Sequence, residues 1–275
     1  MTALLLAVLV IGTLVTNSTA LWAALVTCFC AAAAWEFARL SPSASRSQIS
    51  ASFTILTGLI AAFAFAFFVS DTDGEIAKTL FKLFLPFLLL AVVFWLVIVP
   101  FQLSRRLIVL NSWLSVSTMP IVIGAAWLSA VLLQRAGARF LFAVIVVTVV
   151  ADVAGYFFGR KFGRVKLAPS ISPGKTREGA VAGVVAAALW TAAMCFYLGL
   201  CTGVMSLLLA TAAGAFLGVS AVVGDLWESQ LKRQAGVKDS SQLLPGHGGV
   251  LDRIDAQLAV LPLSTALLML VKPLW

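Results

Sequence analysis

The run TLFKLFLPFLLLAVVFWLVIVPF, residues 79–101, carries one charge, Lys82, in its first turn and none after it. One helical crossing of a bilayer takes about 20 consecutive apolar residues, so this stretch reads as a membrane span. Similar runs recur along the chain, at 2–15, 20–38, 50–70, 109–133, 138–158, 179–200, 203–223 and 249–271. Composition agrees: 61% of the 275 residues are hydrophobic and 11% are charged, against about 25% charged in a soluble domain. The fold class expected is therefore all-α, a polytopic membrane helix bundle of about nine transmembrane helices. The first run is short. It lacks the positive n-region and cleavage site of a signal peptide, and reads as a short first helix. Pro120 marks a kink or break in the fifth.

Loop charges give the orientation. Arg39 and Arg46, then Arg105 and Arg106, then a basic stretch from Arg160 to Arg177, then Lys232, Arg233 and Lys238 fall in alternate loops. Between them lie the turn at Asn17, the acidic loop Asp71, Asp73 and Glu75, and the turn at Leu200. Lysine and arginine favour the cytoplasmic side, which puts the N-terminus in the cytoplasm; only the turn with Arg135 and Arg139 disagrees. The net charge of +8 is spread over these short loops and forms no basic face, so nucleic acid is not an expected partner. Cys28, Cys30, Cys195 and Cys201 sit in apolar runs without metal-ligand spacing and read as small fillers. No internal repeat supports an inverted-repeat transporter.

Chemistry concentrates in residues 224–255, GDLWESQLKRQAGVKDSSQLLPGHGGVLDRID. The carboxylates are Asp225, Glu228, Asp239, Asp252 and Asp255, the cations Lys232, Arg233, Lys238 and Arg253, and His247 is the only histidine. Asp252 and Asp255 are three apart and share a helical face, and Asp225 ends the preceding apolar run, so Asp225 and Asp252 belong to helix ends on the same side. Clustered carboxylates repel unless a cation lies between them. Mg²⁺ is commonly held by one or two carboxylates together with substrate phosphates, and neighbouring lysines and arginines suit phosphate oxygens. Gly246, Gly248 and Gly249 allow close backbone approach. Together these features indicate phosphoryl or nucleotidyl transfer and leave the nucleotide and acceptor open.

A second loop, PSISPGKTREG at residues 169–179, offers Lys175, Thr176 and Arg177. Its GKT is not a phosphate-binding P-loop, because Pro169 stands where that motif needs glycine. Asp152, in the apolar run leading into this loop, and Glu36, beside Trp35, are the other acidic residues in membrane segments. Such residues are functional candidates, although Glu36 also reads as an interfacial side chain.

Beyond this point the chain resembles a known family. The pattern S-x-L-K-R-x4-K-D-x-S-x2-L-P-G-H-G-G-V-x-D-R-I-D, Ser229 to Asp255, is similar to the signature of phosphatidate cytidylyltransferases. The resemblance extends to Gly224–Asp225, to SPGKT-x-EG at Ser172–Gly179, to D-x2-G-Y-x2-G-R-x2-G at Asp152–Gly163, and to Trp35–Glu36. Arg177 departs from the pattern, where related chains often carry an aromatic residue.

The resemblance implies that CTP and phosphatidate give CDP-diacylglycerol and pyrophosphate in phospholipid biosynthesis. It implies Mg²⁺, with K⁺ as a second cation, a homodimer, and a bacterial inner-membrane location with the active site facing the cytoplasm. In this reading Asp225 and Asp252 hold the metal and Asp255 assists. Lys232, Arg233, Lys238 and Arg253 bind substrate phosphates and Lys175 contacts phosphate from the other loop. His247 meets the leaving pyrophosphate or shapes its turn. Thr176, Ser229, Asp239, Gly248, Gly249 and Asp152 complete the substrate-binding set. Residues 1–150 are then N-terminal transmembrane helices. Residues 151–275 are the catalytic region, with cytoplasmic loops 159–178 and 224–250. Two alternatives remain: a membrane cytidylyltransferase or kinase with another lipid acceptor, and an anion transporter. A transporter calls for charge near helix centres, whereas this chain places it at helix ends.

Overall fold

The structure is a computed structural model and describes residues 2–41, 45–70, 74–105 and 112–271. Asp71, Asp73 and Arg106, used above for orientation, lie outside the described residues. The helices are α1 (Thr2–Val15), α2 (Thr19–Arg39), α3 (Arg46–Ser70), α4 (Gly74–Val93), α5 (Val99–Arg105), α6 (Ser112–Ala136), α7 (Ala138–Phe162), α8 (Arg177–Tyr197), α9 (Val204–Gln234) and α10 (Leu251–Val271). A π-helical segment, Phe94–Ile98, joins α4 to α5 without a break. The described residues thus contain eight helical spans long and apolar enough to cross a membrane, plus the shorter α1. This is the polytopic bundle the sequence predicts.

Three features differ in detail from the sequence reading. The loop expected over 224–250 begins only after Gln234, because α9 continues as helix through Asp225, Glu228 and Lys232. Pro120 does not break its helix, since α6 runs through it. The irregularity falls instead at the π turn, where the Val99 amide bonds the Phe94 carbonyl five residues back. Pro100 follows and offers no amide to continue the regular ladder. The loop before α8 also holds a small antiparallel ribbon, β1 (Lys166–Ala168) and β2 (Ser172–Thr176), with Lys166 opposite Thr176 and Ala168 opposite Ser172.

α6 is the central post: 89% of its span is buried, while no other span exceeds 44%. It packs against α2, α3 and α10, so helices from both halves of the chain share one interior. Polar side chains tie helices together where lipid offers no hydrogen bonds. Trp22 Nε1 donates to the Ala130 carbonyl at 2.9 Å, Trp127 Nε1 to Thr27 Oγ1 at 2.8 Å, and Gln257 Nε2 to Thr148 Oγ1 at 2.7 Å. Beneath one end of the bundle, Phe37, Phe94 and Trp95 surround Trp227, with ring centroids 5.4–5.9 Å from it. Trp227 Nε1 donates to Gln102 Oε1 at 3.2 Å. This aromatic floor supports the last turns of α9.

α7, α8 and α9 approach closely because glycines meet backbone. A Cβ on Gly183 would lie 2.7 Å from the Ala151 carbonyl oxygen. A Gly183→Val chain is therefore expected to lose about 1–3 kcal/mol by overpacking, read as a lower thermal midpoint in detergent. An unchanged midpoint would contradict the α7–α8 packing.

Candidate active site

The polar residues singled out above gather at one end of the bundle. α9 delivers Asp225, Glu228, Ser229, Lys232 and Arg233 on its last turns. α10 begins with Asp252, Arg253 and Asp255, α7 contributes Asp152, and the ribbon presents Lys175. α9 and α10 meet at Gly224, where an added Cβ would lie 2.9 Å from the Asp255 carbonyl oxygen. Any side chain at that position would part the two helices that carry the acids.

Two ion-paired groups organise the charges. Lys175 from the ribbon pairs with Asp225 Oδ2, while Ser229 Oγ donates to Asp225 Oδ1 at 3.2 Å. Asp152, Asp225 and Asp255 lie within electrostatic reach of one another and of Lys175, and Arg253 adds positive charge beside Asp152. In the second group, Lys232 Nζ sits 2.5 Å from Glu228 Oε2 and 2.6 Å from Asp252 Oδ1. Glu228 is fully buried (0% exposed), and among the described residues the charge partner of its carboxylate is Lys232. Lys232 is the cation that makes its burial tolerable.

The segment between α9 and α10 is held from several sides. The Leu244 amide donates to the Gly248 carbonyl at 2.9 Å and the His247 amide to the Leu244 carbonyl at 2.8 Å. This closes a tight turn in which Gly246 and Gly248 have φ of +74° and +79°, a region glycine enters without strain. Asp252 Oδ2 accepts from the Gly249 amide at 2.7 Å and from the Ser240 amide at 3.0 Å. Arg253 Nε donates to the His247 carbonyl at 3.0 Å. Arg233 Nε donates to the Ile171 carbonyl at 3.2 Å, which ties the ribbon to the end of α9.

The residues selected from sequence thus fall into distinct settings. Asp152, Asp225, Asp255, Lys175 and Arg253 form one charged cluster. Asp252 and Lys232 join it to the loop. Lys238 and Asp239 are exposed on the loop, with Asp239 Cβ near Gly248. Thr176 is the N-cap of α8, its Oγ1 accepting from the Gly179 amide at 3.2 Å. Gly248 and Gly249 press against Asp252, Ser240 and Glu36. Sequence reasoning left Glu228 without a role and named Glu36 a candidate that also reads as an interfacial side chain, and both prove to be fully buried. The available signal was a carboxylate in an apolar run, which is expensive unless paired.

Clustered carboxylates beside lysines and arginines suit the handling of phosphates. The Cytidylyltransferase family model matches residues 1–271. The phosphatidate cytidylyltransferase of Pseudomonas aeruginosa is 44% identical over 145 residues, which are 52% of this chain and 53% of that protein. That of Haemophilus influenzae is 44% identical over 133 residues, 46% of this chain and 44% of the relative. That of Staphylococcus haemolyticus is 41% identical over 132 residues, 48% and 50% of the two chains. The chain thus spans about half the length of the curated relatives it matches. With the family model running from the first residue through α10, this chain belongs to the cytidylyltransferase family.

Proposed function

We propose that the chain transfers the cytidylyl group of CTP to phosphatidate, forming CDP-diacylglycerol and pyrophosphate. The observation that carries this reading is the convergence of Lys175 from the ribbon with Asp152, Asp225 and Asp255 from three helices. A charged site at the end of apolar spans suits a soluble triphosphate and a lipid phosphate together. The names of the relatives supply the nucleotide and the acceptor.

A phosphate monoester is largely ionised near neutral pH, its second pKa being about 6, so phosphatidate needs no strong base to attack. Its phosphate oxygen forms a bond to the α-phosphorus of CTP, and the bond from that phosphorus to the bridging oxygen of pyrophosphate breaks. Catalysis is then alignment and charge neutralisation. Lys175 and Arg253, beside the acids, bind phosphate oxygens. Arg233 and Lys238, both exposed, supply further positive charge, Lys232 neutralises Glu228 and Asp252, and the His247 turn lies next to Arg253.

The site fits a divalent cation. Asp225 Oδ2 and Asp252 Oδ1 each pair with a lysine ammonium, positive charge on the oxygens that a metal would neutralise. Among the described residues no three Asp, Glu, His or Cys side chains converge into a complete metal shell. Mg²⁺ is commonly held by one or two carboxylates and completed by substrate phosphates. Asp225 and Asp252 would hold the ion, with Asp255 assisting. When bound, Mg²⁺ neutralises the triphosphate and the charge that develops on the leaving group. K⁺ as a second cation, a homodimer and an inner-membrane location complete the proposal.

The acceptor is tested with purified protein in detergent, Mg²⁺ and labelled CTP, offered phosphatidate, polyprenyl phosphate or diacylglycerol separately. Product with phosphatidate alone is expected. Product with another acceptor and none with phosphatidate would replace the reading by one with that lipid.

The loop-charge pattern supports a site facing the cytoplasm. Leu243, 50% exposed, lies in the segment joining α9 to α10. A Leu243→Cys chain in sealed inside-out vesicles is expected to react with an impermeant maleimide, and the same chain in intact spheroplasts is not. The reverse pattern would invert the orientation.

A further inference from the structure

Glu36 is at the end of α2, far in sequence from the acidic cluster, and is fully buried (0% exposed). Its Oε1 accepts from Ser241 Oγ at 2.6 Å and from the Val250 amide at 2.9 Å. Its Oε2 accepts from the Leu251 amide at 2.6 Å and from Ser240 Oγ at 3.0 Å. All four donors belong to residues 240–251, the segment that leads into α10. A carboxylate at a helix N-terminus satisfies orphan amides and meets the positive end of the helix dipole. Glu36 therefore caps α10 from another helix.

The Ser240 hydroxyl is also 2.9 Å from Asp252 Oδ2. It has one proton and can give it to Glu36 or to Asp252 at any moment. Asp252 Oδ2 keeps its bonds from the Gly249 and Ser240 amides in either case. The two carboxylates thus hold the same segment, and Asp252 Oδ1 is left to Lys232. We propose that Glu36 is a positioning residue for the transfer reaction: it locks residues 240–251 and the first turn of α10, and so sets Asp252 and Arg253 against Asp225 and Lys175. This inference rests on the cytidylyl-transfer reading. It gives the N-terminal helices a part in the chemistry that a purely anchoring role does not.

Glu36→Gln is the test. Each oxygen of Glu36 faces one backbone amide, so an amide nitrogen on either side meets an N–H it cannot accept from. Mispositioning by a fraction of an ångström to 1 Å costs up to about 100-fold, and kcat is expected to fall about 30- to 100-fold. KM for CTP should stay within about threefold of wild type, and the Mg²⁺ concentration for half-maximal rate should rise. Glu36→Asp keeps the charge and should recover part of kcat. Hydrogen exchange gives a readout independent of activity: protection at the Val250 and Leu251 amides should drop in Glu36→Gln. Wild-type kcat and Mg²⁺ requirement with unchanged protection would overturn the inference. Should Glu36→Gln fail to fold, Ser241→Ala, which removes one donor, is expected to lower kcat several-fold, about 3- to 10-fold, without moving KM. Unchanged kcat there would overturn it too. A wild-type chain inactive on phosphatidate would sink the functional reading instead, and the exchange at Val250 and Leu251 would still decide the role of Glu36.

Discussion

Asp225→Asn should abolish turnover while leaving a folded protein. The substitution preserves shape and the bond from Ser229, but removes the charge that Lys175 pairs with. It also removes one of three carboxylates that repel one another across α7, α9 and α10, so the loss of the ion pair is offset by relief of that repulsion. The thermal midpoint in detergent is expected to stay close to wild type. The rate is another matter, because electrostatic stabilisation of the transferring phosphoryl group is usually the largest catalytic contribution. A fall of at least about 10³-fold in kcat is expected. Calorimetry should show weaker Mg²⁺ binding in the presence of CTP. A variant with near-wild-type turnover would show that the charged cluster is not where transfer occurs.

Gly249→Ala should be nearly as damaging, for a steric reason. A Cβ at Gly249 would stand 2.0 Å from Ser240 Oγ and 2.6 Å from both carboxylate oxygens of Glu36. Neither neighbour can yield cheaply, since Glu36 is clamped by four donors and Ser240 is bonded to Asp252. The loop must move, and Asp252 with it. A displacement of about 1 Å in a positioned group costs about 100-fold, and a loss of that size is expected in kcat/KM. Gly58→Ala, where an added Cβ meets nothing within 4 Å, is the matched control and should keep full activity. Equal activity in the two variants would contradict the packing of this segment.

The membrane spans were legible because each is a local property: an uninterrupted apolar run of sufficient length announces itself. The acidic and basic loops were legible for the complementary reason, since charge stands out in so apolar a chain. The ribbon was not. Its second strand, Ser172–Thr176, contains proline and glycine, residues depleted from strands, and it pairs only through a three-residue partner. Nor could sequence show that Thr176 spends its hydroxyl on capping α8, or that Lys232 is shared between Glu228 and Asp252. The role of Glu36 was the least visible, because its donors lie more than 200 positions away in the chain. Local pattern reports which face of a helix is apolar. It does not report which distant backbone amides a buried carboxylate will meet.

Nucleotidyl transfer at the Asp225–Lys175 cluster is tested most directly by the fate of label from CTP. Purified protein in detergent would be given phosphatidate, Mg²⁺ and CTP labelled at either the α- or the γ-phosphorus. Label from the α-position is expected in the lipid extract and label from the γ-position in released pyrophosphate, both absent in Asp225→Asn. Label from the γ-position in the lipid would mean that the chain is a lipid kinase, and the cytidylyl-transfer account would be wrong.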